Sequence, residues 1–254
     1  NVALPSEQKK NFEHALAETV SPEENPSPWR TKMEYYRRTY LDRDKPEWQT
    51  SPQIAKLIGK YEEGLRLSGL IDFEDMVLLG MHLVEKEPWI RKAVRARFPV
   101  LVVDEYQDLG IPLDRIVKSL CLNGGMRLFA VGDPDQSIYG FAGAKPELLR
   151  DLSNLPGIET IPLRFNYRCG SDIIQASQIT LGEDRGYKFV GGYSGSLYFH
   201  QCPDGINDQA SKICNIIIPK SIKRDGKRNF GDIAVLYMDK NDGDIIAKHA
   251  SIAG

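Results

Sequence analysis

The sequence lacks the features that mark membrane, secreted or strongly basic proteins. No apolar run approaches the length of a bilayer span, and no signal-peptide pattern stands at the start. The four cysteines form no C-x-x-C pair and have no histidines at zinc-finger spacing, which favours reduced thiols over a disulfide or metal site. The net charge of −2 argues against wholesale electrostatic capture of nucleic acid, although a basic groove would still permit binding. We therefore expect a soluble, cytoplasmic protein with no membrane partner.

The segment FPVLVVDEYQD, residues 98–108, is the most informative stretch that is present. Its apolar, mostly β-branched run Val100–Val103 predicts a strand covered on both faces within a parallel sheet. Asp104 and Glu105 then stand at the carboxyl edge of that strand, where open α/β sheets bind ligands. One acid could hold a hard cation such as Mg²⁺ and the other could orient a water molecule. A strand that simply ends in solvated acids explains the segment equally well, so the segment alone does not decide.

Two further polar clusters follow the acidic strand. Residues 127–131, RLFAV, predict a second buried strand, and it ends in the polar turn GDPDQSIYGFAGA at 132–144. A third cluster, LRFNYR, occupies residues 163–168. The clusters VDEYQD, VGDPDQSIYGFAGA and LRFNYR, in this order, closely resemble the motifs of the UvrD/Rep-like superfamily 1 DNA helicases. Two looser matches, LIDFEDM at 70–76 and FGDIAVLY at 230–237, extend the resemblance from about residue 60 to the end of the chain.

The resemblance implies an α/β fold with RecA-like, P-loop NTPase-type parallel sheets flanked by helices and a helical N-terminal part. Residues 1–70 resemble the helical subdomain inserted in the first motor domain, residues 71–157 part of that motor domain, and residues 158–254 part of the second. Hydrophobic periodicity and turn signals in the sequence predict the individual helices and strands. Helices are predicted at 5–20, 29–41, 51–68, 72–87, 113–122, 145–152, 170–179, 206–220 and 243–251, and strands at 99–104, 127–131, 159–163, 196–202 and 232–237.

The resemblance also assigns a nucleotide site with ATP and Mg²⁺ as cofactors. In the family, the residue at the position of Asp104 binds Mg²⁺. The residue at the position of Glu105 also lies at the metal and activates the attacking water. Gln136 matches the glutamine that senses the γ-phosphate, and an amide suits this because it can donate to phosphate and accept from water. Tyr167 matches the residue that stacks on adenine. Arg168 matches an arginine that reaches the γ-phosphate from the second motor domain, so the nucleotide is expected in the cleft between the domains.

The expected macromolecular partner is single-stranded DNA or a duplex junction. Tyr139 and Phe141 match aromatic positions that stack on DNA bases in the family, whereas without the motif around them core packing would be the ordinary explanation. Gln136 lies three residues before Tyr139. This closeness could couple the nucleotide to the DNA. The resemblance implies an ATP-dependent DNA helicase or translocase that moves 3′ to 5′. The sequence does not identify a protein partner.

The sequence departs from the family pattern at several points. The phosphate-binding pattern G-x-x-x-x-G-K-[ST] is absent, because Gly59-Lys60 is followed by Tyr61 and Gly226-Lys227 by Arg228. Ala142 stands where relatives usually carry an arginine. The chain opens without methionine and stops short of the family's later motifs. We therefore expect a fragment of a longer helicase that hydrolyses ATP poorly by itself.

Two other functions remain open from the sequence. The first is a non-catalytic helicase-like module that binds DNA or a protein partner. The second is a metal-dependent nuclease that uses Asp104 and Glu105, which is disfavoured because no acidic residue followed by Glu-x-Lys lies on a neighbouring strand. A phosphate-binding loop upstream in the same gene would eliminate the first, and metal-dependent cleavage without nucleotide would favour the second.

Overall fold

The computed structural model describes residues 1–21, 23–43, 45–226 and 229–253. Lys227 and Arg228, part of the second Gly-Lys pair noted above, lie outside the described residues. The chain divides into two compact units, Asn1–Ile161 and Pro162–Gly254. Helices predominate, and each unit contains a small parallel sheet. The chain is therefore an α/β protein, as its sequence predicts.

The first unit opens with three helices, α1 (Pro5–Thr19), α2 (Pro26–Thr39) and α3 (Pro52–Leu67). Each begins with proline in its first turn, where the missing N–H is not needed. Their apolar stripes meet in a common core, which explains why three segments with modest individual propensity form a stable group. The large side chains buried most deeply in this core are Phe12, Leu16, Met33, Ile54, Leu57, Ile58, Tyr61 and Leu65.

The fourth helix, α4 (Phe73–Lys86), starts at the predicted cap Asp72. The Asp72 side chain accepts a hydrogen bond from the Asp75 backbone N–H at 2.8 Å, and the Asp75 carboxylate accepts from the Asp72 N–H at 3.3 Å. This reciprocal arrangement satisfies donors that the first helical turn leaves without an intrahelical partner. The predicted start of this helix is therefore confirmed.

The remainder of the first unit is a strand and helix alternation. It comprises α5 (Pro88–Arg97), β1 (Val100–Val103), α6 (Ile111–Lys118), a π-helical turn at Ser119–Asn123, β2 (Arg127–Ala130) and α7 (Glu147–Ser153). Strands β1 and β2 pair in parallel, with Val100 opposite Arg127 and Val103 opposite Ala130. Helix α5 is an element that the sequence patterns did not predict.

The sheet of the first unit is covered on one face only. Along both strands exposed and partly buried residues alternate, and the Val102 side chain is 65% exposed. Leu101, Val103 and Leu128 pack instead against a core that includes Tyr106 and Leu152. The prediction of a strand covered on both faces is therefore wrong for the described residues. An unbroken apolar run can form such a strand, but it cannot supply the second covering layer.

The second unit has fewer strands than predicted. It contains β3 (Phe165–Asn166), α8 (Ser171–Leu181), β4 (Lys188–Phe189), α9 (Gly205–Lys212), a π-helical turn at Ile213–Ile217, α10 (Ile218–Asp225) and α11 (Lys240–Ala253). β3 and β4 pair in parallel over two residues. The helices predicted at 170–179, 206–220 and 243–251 are confirmed as helical regions.

The strands predicted at 159–163, 196–202 and 232–237 do not form. Their apolar side chains are largely exposed, as for Phe199 and Leu236. A strand requires a neighbour for its backbone hydrogen bonds, and the described residues form two-stranded sheets only. The RecA-like arrangement thus remains a prediction.

All four cysteines are free thiols, and burial raises the pKa of Cys121. Within the described ranges, none of the helices combines the length and the apolar character that crossing a bilayer demands.

Candidate functional site

Asp104 and Glu105 lie exposed directly after β1, at the predicted sheet edge. The Asp104 Oδ1 atom accepts a hydrogen bond from the Glu105 backbone N–H at 2.9 Å. Glu105 has φ 51° and ψ 46°, and among the described residues it is the sole non-glycine with positive φ. This left-handed conformation costs about 1 kcal/mol or more for a residue with a Cβ. The chain therefore holds a strained residue where the acidic motif is exposed.

A buried amide links this acidic turn to the end of β2. The Gln107 side chain donates from Nε2 to Glu105 Oε2 at 2.7 Å, and its Oε1 accepts from the Asp133 backbone N–H at 3.0 Å. Gly132 makes this approach possible, because a Cβ there would lie 2.5 Å from Gln107 Oε1. Sequence reasoning missed Gln107. Nothing in the pattern distinguishes it from neighbouring polar residues, since its burial is decided by residues 26 positions away.

Tyr106 attaches the same turn to the core of the first unit. Its ring is fully buried, and its hydroxyl donates to Asp114 Oδ1 at 2.8 Å. Burial, reinforced by this bond to a carboxylate, raises the pKa of the Tyr106 phenol well above its ordinary value. The Tyr106 backbone N–H donates to Val131 O at 2.9 Å, and the Val131 N–H donates to Val103 O at 2.8 Å. The parallel hydrogen-bond ladder thus continues past the strands into the site.

The turn after β2 brings Gln136 to this edge. Its Nε2 donates to Asp133 Oδ2 at 2.8 Å, and the Asp135 backbone N–H donates to Asp133 Oδ1 at 3.1 Å. The Ser137 hydroxyl donates to the Gln107 carbonyl at 3.4 Å. A continuous series of hydrogen bonds therefore connects the acidic turn, through Gln107 and Asp133, to the exposed side chain of Gln136.

The aromatic residues follow immediately in a compact turn. The Tyr139 side chain is 47% exposed and the Phe141 side chain 83% exposed, with their ring centroids 6.3 Å apart. The turn closes on itself through bonds from the Ala142 N–H to Tyr139 O and from the Gly143 N–H to Gly140 O. Because Phe141 in particular faces solvent, core packing does not explain these rings.

Tyr167 and Arg168 belong to the second unit and lie after β3, where both are exposed. The Asn166 Oδ1 atom accepts from the backbone N–H groups of Arg168 at 3.0 Å and Cys169 at 2.9 Å. The Tyr193 hydroxyl donates to the Arg168 carbonyl. The backbone beneath both candidate side chains is thus tied down, and the side chains themselves extend from it.

The acidic edge is suited to a metal ion that is bound together with a ligand, and less to one that protein side chains coordinate alone. In the part of the chain that the structure describes, no group of three or more His, Cys, Asp or Glu side chains could hold a metal ion. Mg²⁺ is commonly held by one or two carboxylates, with phosphates and water completing its shell. The exposed carboxylate of Asp104, beside Glu105, meets that requirement.

These features define an α/β protein with polar residues gathered at the carboxyl ends of neighbouring parallel strands, the usual position of ligand sites in such sheets. The chain matches the UvrD/REP helicase N-terminal domain over residues 5–156, and it belongs to that family. The match confirms the family resemblance and takes in the first helices, which precede the region where the sequence motifs are clearest.

Individual relatives agree with this assignment. The chain is 35% identical over 132 residues to the ATP-dependent DNA helicase Rep of Escherichia coli (strain K12), covering 52% of this chain and 20% of the relative. It is 36% identical over 132 residues to DNA helicase II of the same organism, covering 52% and 18%. It is 29% identical over 202 residues to the ATP-dependent DNA helicase UvrD1 of Mycobacterium leprae (strain TN), covering 74% and 26%. The chain thus spans about a fifth to a quarter of these relatives' length.

Proposed function

We propose that this chain forms part of an ATP-dependent DNA helicase or translocase that moves 3′ to 5′ on single-stranded DNA. The observation that carries the proposal is the hydrogen-bond series from Glu105 through Gln107 and Asp133 to Gln136, with the exposed aromatic turn directly after it. Such a series allows a nucleotide at one end to influence DNA at the other. Residues 1–70, 71–157 and 158–254 would then be an inserted helical segment and parts of two motor domains.

Asp104 and Glu105 have different proposed tasks at the nucleotide. Asp104 would hold Mg²⁺ together with the phosphates, and the cation would neutralise phosphate charge when bound. Glu105, whose carboxylate is held by Gln107, would accept a proton from the attacking water. Its left-handed backbone suits this role, since strained residues concentrate at functional sites.

The remaining nucleotide contacts are assigned by side-chain chemistry. Gln136 would donate its amide to the γ-phosphate, exchanging its bond to Asp133 for one to the ligand. Tyr167 would stack on the adenine. The Arg168 guanidinium would stabilise the charge that spreads over the transferred phosphoryl group, a contribution of about 10³ to 10⁵ in rate for such arginines.

The DNA contacts are proposed for Tyr139 and Phe141. The two exposed rings on this turn are available for stacking, and stacking on a base contributes about 1 to 3 kcal/mol. Stacking does not depend on charge, so it is compatible with the net charge of −2. Single strands are the favoured form because their bases are accessible to stacking.

The decisive experiment measures DNA-stimulated ATP hydrolysis by the full-length product of the gene. Glu105→Gln is expected to lower the rate by about 10² to 10⁴ while binding of a Mg²⁺–ATP analogue, measured by calorimetry, is retained. Glu159→Gln, which changes an exposed acid outside the helices, the strands and the acidic motif, is the matched control and should leave the rate unchanged. Stimulated hydrolysis that survives Glu105→Gln would show that the assigned water-activating role is wrong.

A second function is favoured by one specific observation. The exposed aromatic turn is present although the pattern G-x-x-x-x-G-K-[ST] is missing from the 254 residues. A non-catalytic helicase-like module would keep the DNA surface without hydrolysis. This alternative is supported if the full-length product binds single-stranded DNA but binds no ATP analogue.

Strand displacement on substrates with a 3′ or a 5′ tail would test the polarity proposed for the helicase.

A further inference from the structure

Arg38 of helix α2 contacts the aromatic turn directly. Its Nη1 donates to the Ala142 carbonyl at 3.1 Å, although the two residues are 104 positions apart in sequence. Its Nη2 donates to Glu74 Oε1 at 2.6 Å, and this hydrogen bond raises the pKa of Arg38. The guanidinium therefore stays charged and joins the start of α4 to the turn.

The aliphatic part of Arg38 also packs against the turn. A Cβ built on Gly143 would lie 3.5 Å from Arg38 Cδ and 3.6 Å from Arg38 Cβ. Gly143 has φ 94°, a conformation that favours glycine and that ends the short helical turn carrying Phe141. The contact lies within one compact unit, so helix and turn belong to the same packed structure.

The base of Arg38 is itself held in place. The preceding residue, Arg37, is buried and donates to carboxylates of Glu62, Asp72 and Asp75 on α3 and at the start of α4. Neighbouring arginines on one helix thus have different partners. Arg37 fixes α2 within the helical group, and Arg38 extends from that fixed point to the turn.

We propose that Arg38 is a positioning residue for DNA binding, holding the aromatic turn in the conformation that presents Tyr139 and Phe141 to the bases. This inference rests on the proposed DNA-binding function of those two rings. Arg38 acts through the turn and not on phosphate, because Glu74 balances its charge and its side chain is only 29% exposed.

Arg38→Met tests the proposal, because methionine keeps an aliphatic stem and removes the donors. Arg30→Met is the matched control, since Arg30 lies on the same helix and pairs with Glu34. Affinity for a fluorescent oligodeoxythymidylate is measured over a range of salt concentrations, for this chain and for the full-length gene product. We expect Arg38→Met to weaken binding about tenfold relative to Arg30→Met, with no change in salt dependence.

The double variant Arg38→Met/Phe141→Ala shows whether Arg38 affects DNA binding through the aromatic turn or independently of it. If Arg38 works through the turn, its substitution has little further effect once Phe141 is gone. An effect that is independent of Phe141 and lowers the salt slope by about one would identify a phosphate contact and overturn the proposal. Equal affinities for Arg38→Met and Arg30→Met would also overturn it. Thermal unfolding confirms that each variant is folded. If the unsubstituted chain binds no single-stranded DNA, the proposed DNA-binding function itself is refuted.

Discussion

Gln107 is a single buried amide between two motifs that lie 26 residues apart in the sequence. Its two ends have opposite hydrogen-bonding character, and each meets its complement: the NH₂ group meets the Glu105 carboxylate and the oxygen meets the Asp133 N–H. An acid would repel Glu105, and an apolar residue could form neither of the two hydrogen bonds. Only an amide of this length serves both sides.

Gln107→Leu is expected to destabilise the fold by about 1 to 3 kcal/mol, because a buried amide that hydrogen-bonds to both the Glu105 carboxylate and the Asp133 N–H is replaced by a side chain that can form neither bond. The free energy of unfolding is measured with urea. Gln136→Leu is the matched control, since Gln136 is exposed and its loss should cost less than about 0.5 kcal/mol. Equal costs for the two variants would contradict the linking role of Gln107.

Helices α2, α3 and α4 meet around a buried ionic cluster. Arg37 donates to Asp72 at 2.5 and 3.1 Å, to Asp75 at 2.6 Å and to Glu62 at 3.2 Å. The Tyr61 hydroxyl also donates to Asp72, at 3.0 Å. Burial of charge is unfavourable by itself, but here each charge has a partner and several hydrogen bonds. The cluster therefore specifies how the three helices fit together.

Arg37→Met should destabilise the protein by about 3 to 5 kcal/mol, because Asp72 and Asp75 would lose the cation that they share and Glu62 would keep only Arg43. Thermal or urea unfolding measures this cost. Arg30→Met, which removes a partly exposed arginine of the same helix, is expected to cost no more than about 1 kcal/mol. A small effect of Arg37→Met would mean that the carboxylates relax to solvent.

The cluster also predicts an acid dependence. Burial alone would raise the pKa of Asp72, but the hydrogen bond and charge of Arg37 outweigh burial and hold that pKa below its ordinary value of 3.8. A carboxyl whose folded pKa is depressed stabilises the fold above its unfolded pKa, and the contribution is lost as pH falls through and below 3.8.

Asp75 acts in the opposite direction, since burial raises its pKa. The comparison of Asp72→Asn with the parent chain isolates the Asp72 contribution. Unfolding free energy, followed by urea titration at a series of acidic pH values, should fall less steeply in the variant. Identical slopes would show that Asp72 makes no such contribution.

At the scale of the whole molecule, a net charge of −2 limits what electrostatics can contribute to DNA affinity. If binding depends on the two exposed rings, its salt dependence should be shallow compared with proteins that neutralise many phosphates. The affinity would then be decided by stacking at one turn. Such behaviour would distinguish the chain from basic proteins that bind nucleic acid without base contacts.

Phe141→Ala is expected to weaken binding of single-stranded DNA by about 5- to 150-fold, the equivalent of about 1 to 3 kcal/mol of stacking. Fluorescence anisotropy at several salt concentrations measures both affinity and slope. Phe199→Ala removes a phenylalanine of the second unit that is exposed to a somewhat greater extent, and it serves as the control. A loss of similar size in both variants would exclude a specific role for the aromatic turn.

The sequence alone determined the elements whose signals are local. The helix Phe73–Lys86 follows from an aspartate cap and apolar spacing, and β1 and β2 follow from short β-branched or apolar runs that end in polar turns. The motifs also placed Asp104, Glu105 and Gln136 after these strands. In each case the determining residues are close neighbours in the chain, so their pattern can be read without knowing the fold.

The tertiary structure decided what depends on distant partners. Residues far along the chain decide whether Val102 is covered and whether residues 232–237 become a strand. They also decide which hydrogen-bond partners Gln107 and Arg38 have. The physical reason is that burial and strand pairing are properties of two surfaces together. A sequence pattern describes one surface, and the packed structure selects the other.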